Sequence, residues 1–232
     1  MSGITIGGRL SSVAKYVRQG AVFADIGTDH AYLPVFLLLN RTIEAAICSD
    51  INEGPLANAR QTAAAHGVCE KTDFVLADGA ADLSERGITD MAICGMGGEL
   101  IADIIERAPF IKADRVRLIL QPMTRQEYLR VYLYKNGFSL IAEDYAVETG
   151  KPYTVLVAEY SGTDRDDKIT PEIKYGAVCK TSAAAQYQYL EAKLKSKRSA
   201  YGGLKLGGCE DGELLREIAY IEDVIGKLRS FV

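Results

Sequence analysis

Three acidic side chains stand where predicted strands end, and their spacing points to ligand chemistry. Asp25 lies near the end of Ala21-Val-Phe-Ala-Asp-Ile26, just before Gly27; Asp50 follows Ser49 and precedes Ile51; Asp78 closes Val75-Leu-Ala-Asp and precedes Gly79. In open α/β sheets, ligands bind outside the carboxyl ends of the strands. Gly27 lets the backbone approach a ligand where a Cβ would obstruct it. An acidic residue about 20 positions beyond the first glycine suits ribose hydroxyls, and Asp50 is 23 residues beyond Gly27. Asp78 is placed to accept a hydrogen bond from an adenine amine. Taken singly, Asp50 or Asp78 equally fits a surface turn. The loop Thr28-Asp29-His30 and Tyr32 depart from the three-glycine dinucleotide fingerprint. Carboxylates would also repel a pyrophosphate. They suit a ligand with a sulfonium and an ammonium, which makes S-adenosylmethionine the expected donor and methyl transfer the expected reaction.

Two further strand ends complete this edge. Gly95-Met96-Gly97-Gly98 is a glycine-rich loop before a helix, and Gln121-Pro122 sets an amide and a rigid turn beside it. A turn that holds no ligand is the alternative for the glycine loop. An Asn-Pro-Pro-Tyr motif is absent, and no cysteine sits in a pattern for covalent attack on a pyrimidine.

Alternating elements must carry these residues. Strands are expected near 21–25, 44–49, 72–77, 89–94 and 116–121, with helices near 31–39, 54–66, 98–107 and 124–136. Thr124 with Glu127 has capping-box spacing. Leu10, Val13 and Val17 predict a short amphipathic helix from Arg9 to Val17. Phe138–Val147 and Thr154–Tyr160 read as a hairpin closed by residues 148–152. A polar linker is expected over 161–168. Two helical patterns follow, Pro171–Tyr201 and Gly212–Phe231, with a glycine-rich turn at Gly202–Gly208; a short connection predicts antiparallel packing. The expected organisation is an α/β domain over 1–162 and a helical hairpin over 163–232.

The 232 residues are 48% apolar and carry a net charge of −4. Residues 1–164 hold 15 basic against 21 acidic side chains, whereas 165–205 hold 9 against 4. A basic block beside an acidic domain fits a polyanionic partner, or else a solvated helix face. With two histidines, His30 and His66, and no C-x-x-C among five cysteines, no metal site is expected. No stretch nears the roughly 18 apolar residues of a membrane span, and no signal peptide pattern opens the chain. A cytoplasmic protein with no membrane partner is expected.

The motifs Asp25-Ile-Gly-Thr-Asp-His-Ala-Tyr-Leu-Pro34, Asp50-Ile-Asn-Glu-Gly-Pro55, Gly95-Met-Gly-Gly98, Leu118-Ile-Leu-Gln-Pro122 and Lys151-Pro-Tyr-Thr-Val-Leu-Val-Ala-Glu159 resemble the bacterial TrmK family over nearly the whole chain. Members are tRNA (adenine-N1)-methyltransferases acting on adenine 22. The resemblance implies a Rossmann-like class I methyltransferase sheet with an antiparallel terminal hairpin. It also implies S-adenosylmethionine as donor, and a coiled-coil-like C-terminal hairpin that helps hold tRNA. Donor contacts are expected from Asp25, Ile26, Gly27, Thr28, His30, Asp50, Ile51, Asp78, Gly79, Gly95, Met96, Gly97, Gln121 and Pro122. Methylating N1 puts positive charge on the adenine. Asp29 is the candidate carboxylate to stabilise it, its alternative being a helix N-cap, and Tyr32 is the candidate to stack on the base. Lys193, Lys195, Lys197 and Arg198, with Arg9, Lys15 and Arg18, are the expected phosphate contacts.

Overall fold

Alternating apolar runs produce one seven-stranded sheet in order β3-β2-β1-β4-β5-β7-β6. The computed structural model describes residues 4–162, 165 and 167–232. The strands are β1 (Ala21–Ile26), β2 (Ile43–Asp50), β3 (Thr72–Leu76), β4 (Asp90–Cys94), β5 (Arg117–Gln121), β6 (Phe138–Glu148) and β7 (Lys151–Tyr160). The first five are parallel; β7 pairs antiparallel with both β5 and β6. Helices α1 (Gly8–Ala14), α2 (Tyr32–Leu39), α3 (Glu53–Ala65), α4 (Gly98–Glu106), the short α5 (Phe110–Ala113) and α6 (Gln126–Lys135) flank the sheet. Both of its faces are packed. Ile26, Ile93, Leu118 and Leu120 join Ile101, Ile105 and Leu129 in one cluster, while Phe23, Cys48 and Ile119 join Val13, Leu37 and Ala59 in another. Burial on both sides explains why the central strands read as continuous apolar runs.

Several local expectations are corrected. The hairpin strands run into the expected five-residue loop and leave only Thr149 and Gly150 between them, both at positive φ (50° and 74°). That geometry is the tight turn whose twist matches paired strands. The capping box at Thr124 does not form. Arg125, at φ 57°, is the N-cap of α6 and no side chain caps it. The Thr124 carbonyl instead accepts from the Gly98 N–H, tying the β4 and β5 loops together. Helix α1 stops at Ala14, although Val17 is still buried.

The pattern Pro171–Tyr201 is two helices, α7 (Pro171–Tyr175) and α8 (Ala183–Leu206). The break is at Gly176, at φ 78°, where an added Cβ would lie 2.5 Å from the Glu143 carboxylate and 2.8 Å from the Arg130 guanidinium. Only glycine allows that approach. At the other end, α8 continues through Gly202 and Gly203, so the turn begins at Gly207 rather than Gly202. Helix α9 (Gly212–Leu228) starts on Asp211, whose carboxylate accepts from the Glu213 and Leu214 N–H groups. Leu190, Leu194, Ile218, Ile221 and Ile225 form a cluster of their own, joined by Tyr145 from β6. The expected linker 161–168 falls partly on residues 163, 164 and 166, outside the described residues.

Candidate active site

The parallel strands end together, and the loops leaving them form a rim. β1 delivers Asp25 to that rim, buried, with Thr28 Oγ1 donating to its carboxylate at 2.7 Å. Burial raises the Asp25 pKa to about 6, against the lowering effects of the Thr28 hydrogen bond and the Arg9 charge and with a further push from Asp50. Gly27 turns at φ 75°, and an added Cβ would overlap the Met96 methyl at 2.2 Å. The Gly27 and Thr28 N–H groups both donate to the Ser49 carbonyl, which joins the β1 loop to β2.

A cavity of about 380 Å³ opens here, lined among others by Asp25, Gly27, Asp29, His30, Tyr32 and Gly95. Ala31 takes a left-handed turn at φ 53°, and His30 and Tyr32 stack with centroids 5.1 Å apart and planes within 10°. Their rings remain substantially exposed, so the stack offers a flat face to solvent. Asp29 is exposed and sits 3.4 Å from His30 Nε2. Ala31, not Asp29, precedes the first residue of α2 as its N-cap.

The other expected donor contacts lie at or just beyond the same strand ends, outside the lining of this cavity. Asp50 accepts from the Asn52 N–H at 2.8 Å, and Ile51 beside it is exposed. Asp78 is exposed and forked by Arg107 at 2.8 and 3.3 Å, which holds its carboxyl below the usual range. Gly79, at φ 77°, packs on Ile104. Gly97 bridges to Thr124, and the Met96 carbonyl accepts from the Met123 N–H. Pro122 offers its carbonyl to Gln126. Ile26 is absorbed by the core beneath the sheet, and Thr28 serves Asp25. Gln121 is fully buried at the end of β5 and bonds Arg9.

The basic candidates are scattered. Arg9, expected at the phosphates, lines the rim cavity itself. Arg18 binds the buried Asp90 at 2.6 Å, at the start of β4 and hence the opposite end of the sheet. Lys15 pairs with Asp144 at 2.8 Å. In the hairpin, Lys193 bonds Glu127 and Gln126 at 2.7 and 2.9 Å, Lys197 bonds Glu217 at 2.8 Å, and Arg198 bonds Glu222 at 2.7 Å. Among the described residues, Lys195 alone of these four hairpin cations makes no ion pair, and it is exposed. The cavity also reaches Cys94, whose thiol burial pushes well up from its ordinary pKa, so it is neutral.

A buried carboxylate without a cationic partner, beside a backbone made close by glycine, fits the amino-acid end of S-adenosylmethionine. The profile of the methyltransferase-domain family matches residues 6–156. A tRNA (adenine(22)-N(1))-methyltransferase of Bacillus subtilis is 39% identical over 166 residues, covering 72% of this chain and 69% of that protein. A Streptococcus pneumoniae protein solved in complex with S-adenosyl-L-methionine superposes with a TM-score of 0.81 at 32% identity, covering 95% of this chain and all (100%) of the other. The structure of the B. subtilis M1A22 tRNA methyltransferase TrmK gives a TM-score of 0.76 at 30% identity, covering 98% and 99%.

Proposed function

The chain belongs to the tRNA (adenine(22)-N(1))-methyltransferase family, and on that premise we infer that it methylates N1 of adenine 22 in tRNA. The single observation that carries the site assignment is the rim cavity, with buried Asp25 on one wall and exposed Asp29, His30 and Tyr32 at its mouth. S-adenosylmethionine, when bound, supplies a methyl group already activated by its positive sulfur. Asp25 would hold the donor's ammonium, Asp50 its ribose hydroxyls, and Asp78 with Gly79 its adenine.

The adenine N1 lone pair is nucleophilic without deprotonation, so the protein's task is positioning and exclusion of water. In folded tRNA that edge faces a partner, and the base must leave its stack to react. The exposed stack of His30 and Tyr32 offers a surface for the extruded base, extending by one more aromatic plane. Asp29, on the same loop, faces solvent at the mouth. Its carboxylate would stabilise the positive charge developing on the purine and accept a proton from the exocyclic amine as charge spreads there.

Residues 1–162 would thus carry the donor site, and the hairpin in 163–232 would hold the tRNA through its phosphates. The free thiols Cys48, Cys69, Cys94, Cys179 and Cys209 fit a reducing cytoplasm. Incubating the protein with unmodified tRNA and methyl-labelled donor, followed by nucleoside analysis, tests the assignment. Label in 1-methyladenosine at position 22 is expected; label in another nucleoside would redirect it.

A further inference from the structure

The sheet and the C-terminal helices each have apolar clusters of their own, joined through Tyr145. The seam between them is rich in buried polar groups. Arg130 of α6 and Gln186 of α8 are buried, and the side chain of Glu143 on β6 is only 16% exposed. Glu143 accepts from Arg130 Nη1 and from the Tyr145 hydroxyl. Arg130 Nε donates to the Ile173 carbonyl of α7 at 2.9 Å. Gln186 Nε2 donates to the Ala177 carbonyl at 2.7 Å and to the Tyr145 hydroxyl at 3.3 Å, and its Oε1 accepts the Cys179 N–H at 2.7 Å. From α9 the Tyr220 hydroxyl donates to the Gly176 carbonyl at 2.8 Å. Helices α7, α8 and α9 are thus all tied to the stretch of chain around Glu143.

A second tie lies one helical turn nearer the rim. Gln126 Nε2 donates at 3.2 Å to the carbonyl of Pro122, in the loop that leaves β5, and Gln126 Oε1 accepts from Lys193 Nζ of α8 at 2.9 Å. Helix α6 is therefore a strut. Its first turn is bound to the rim loop and to α8, and its second turn to Glu143 and α7. A buried, hydrogen-bonded charge pair is satisfied in one arrangement, and shifting it strands both charges.

We propose that Arg130, Glu143 and Gln186 are positioning residues that fix the hairpin at one angle to the rim, and that this fixed span selects which adenine of the tRNA reaches the donor. The proposal rests on the reading that the hairpin holds tRNA while the rim holds the donor. Neighbouring nucleotides of a stacked strand lie about 3.4 Å apart. A hairpin free to tilt by that much would present the wrong base, and a displacement of about 1 Å already costs about 100-fold in rate.

Arg130→Met combined with Glu143→Leu tests this, because a buried pair replaced whole by apolar side chains is tolerated where a stranded charge is not. The substrate is unmodified tRNA carrying adenines on either side of position 22. Wild type should label adenine 22 alone. The double variant should keep its KM for tRNA and its donor affinity within about threefold, lose about 30-fold in kcat and spread label onto the flanking adenines. A merely structural role would reduce the amount of active enzyme and leave the label where it was. Spin labels on the exposed thiols Cys69 and Cys209 read the angle directly. One narrow distance is expected in the wild type and a broad distribution in the double variant. Should that variant fail to fold, Gln186→Leu removes only the share of α8 and should give the same redistribution to a smaller extent. Label confined to adenine 22 in the variant that folds, a broad distribution in the wild type, or a narrow one in the double variant would overturn the proposal. Wild-type protein that leaves adenine 22 unlabelled would instead remove the functional reading on which it stands.

Discussion

Two buried carboxylates, Asp25 at the rim and Glu217 in the hairpin, are treated in opposite ways. Asp25 is 9% exposed and has a hydroxyl, Thr28, as its side-chain hydrogen-bond partner. Glu217 is 5% exposed and accepts from Lys174 at 2.6 Å, Lys197 at 2.8 Å and the Tyr175 hydroxyl at 2.7 Å. Burial pushes both pKa values up, but the lysines and tyrosine overcome it at Glu217 and take it down to about 2, whereas Asp25 stays up at about 6. A charge buried with its partners is structure; one buried without them is a cost that folding leaves in place, and such costs gather where ligands bind. The same contrast separates the cations. Arg9 keeps hydrogen-bonding capacity toward the cavity, whereas Lys193, Lys197 and Arg198 are matched to carboxylates across α6, α8 and α9.

The contrast is sharpened most by Asp29, the other carboxylate that lines the cavity. Asp29 is exposed and outside the donor's predicted grip, so Asp29→Ala should cut turnover by about 1,000-fold while leaving donor affinity within about threefold. If donor affinity fell with turnover, Asp25 and Asp29 would share one role. Next in size, Glu217→Ala strands Lys197 and the Tyr175 hydroxyl and leaves Lys174 with Glu213 alone. A loss of about 3 kcal/mol in unfolding free energy is expected, with hydrogen exchange accelerated in α7 and α9. Because its folded pKa lies below 4.5, the Glu217 contribution should persist above that pH and fade as pH falls toward about 2. Asp25→Asn should do the reverse: donor affinity falls about 30-fold while the free protein gains stability, read as a higher Tm. The folded pKa of Asp25 exceeds its ordinary 3.8, so the free protein holds that proton more tightly than the unfolded chain. Stability from this group therefore rises as pH drops through about 6, over the interval in which donor binding weakens. A Tm unchanged by Asp25→Asn would mean that the carboxylate carries no cost.

Periodicity and punctuation were enough to read the sheet. Each central strand is an apolar run ended by Asp, Gly or Gln, because both faces are covered and the chain must turn at the rim. Glycine-punctuated loops marked where the backbone crowds, as Gly27 does against Met96. Charge pairing could not be read this way. Lys193 meets Glu127 and Arg9 meets Gln121 across 66 and 112 residues, distances that no local pattern encodes. A run of lysines on one helix looks the same whether its partners are carboxylates of this chain or phosphates of another. The break at Gly176 was hidden for a related reason: its cause is Glu143 and Arg130, on other elements.

The smallest expected effect tests whether pairing truly excludes Lys193 from the tRNA surface. Lys195 is exposed and makes no ion pair among the described residues, so Lys195→Ala should weaken tRNA binding about threefold, lower the salt slope by about one and leave Tm unchanged. Lys193 bridges α8 to Glu127 and Gln126 of α6, so its removal should act on the protein instead. A double-mutant cycle of Lys193→Ala with Glu127→Ala should show a coupling of about 0.5–1 kcal/mol in stability, since both side chains are only partly exposed. Its salt slope for tRNA should stay near that of the wild type. If Lys193→Ala lowered the slope as Lys195→Ala does, with no coupling to Glu127, the bridge would open for a phosphate. The hairpin's cations would then be held in reserve for RNA, as Asp25 would be for the donor, and the two regions would differ only in which ligand completes them.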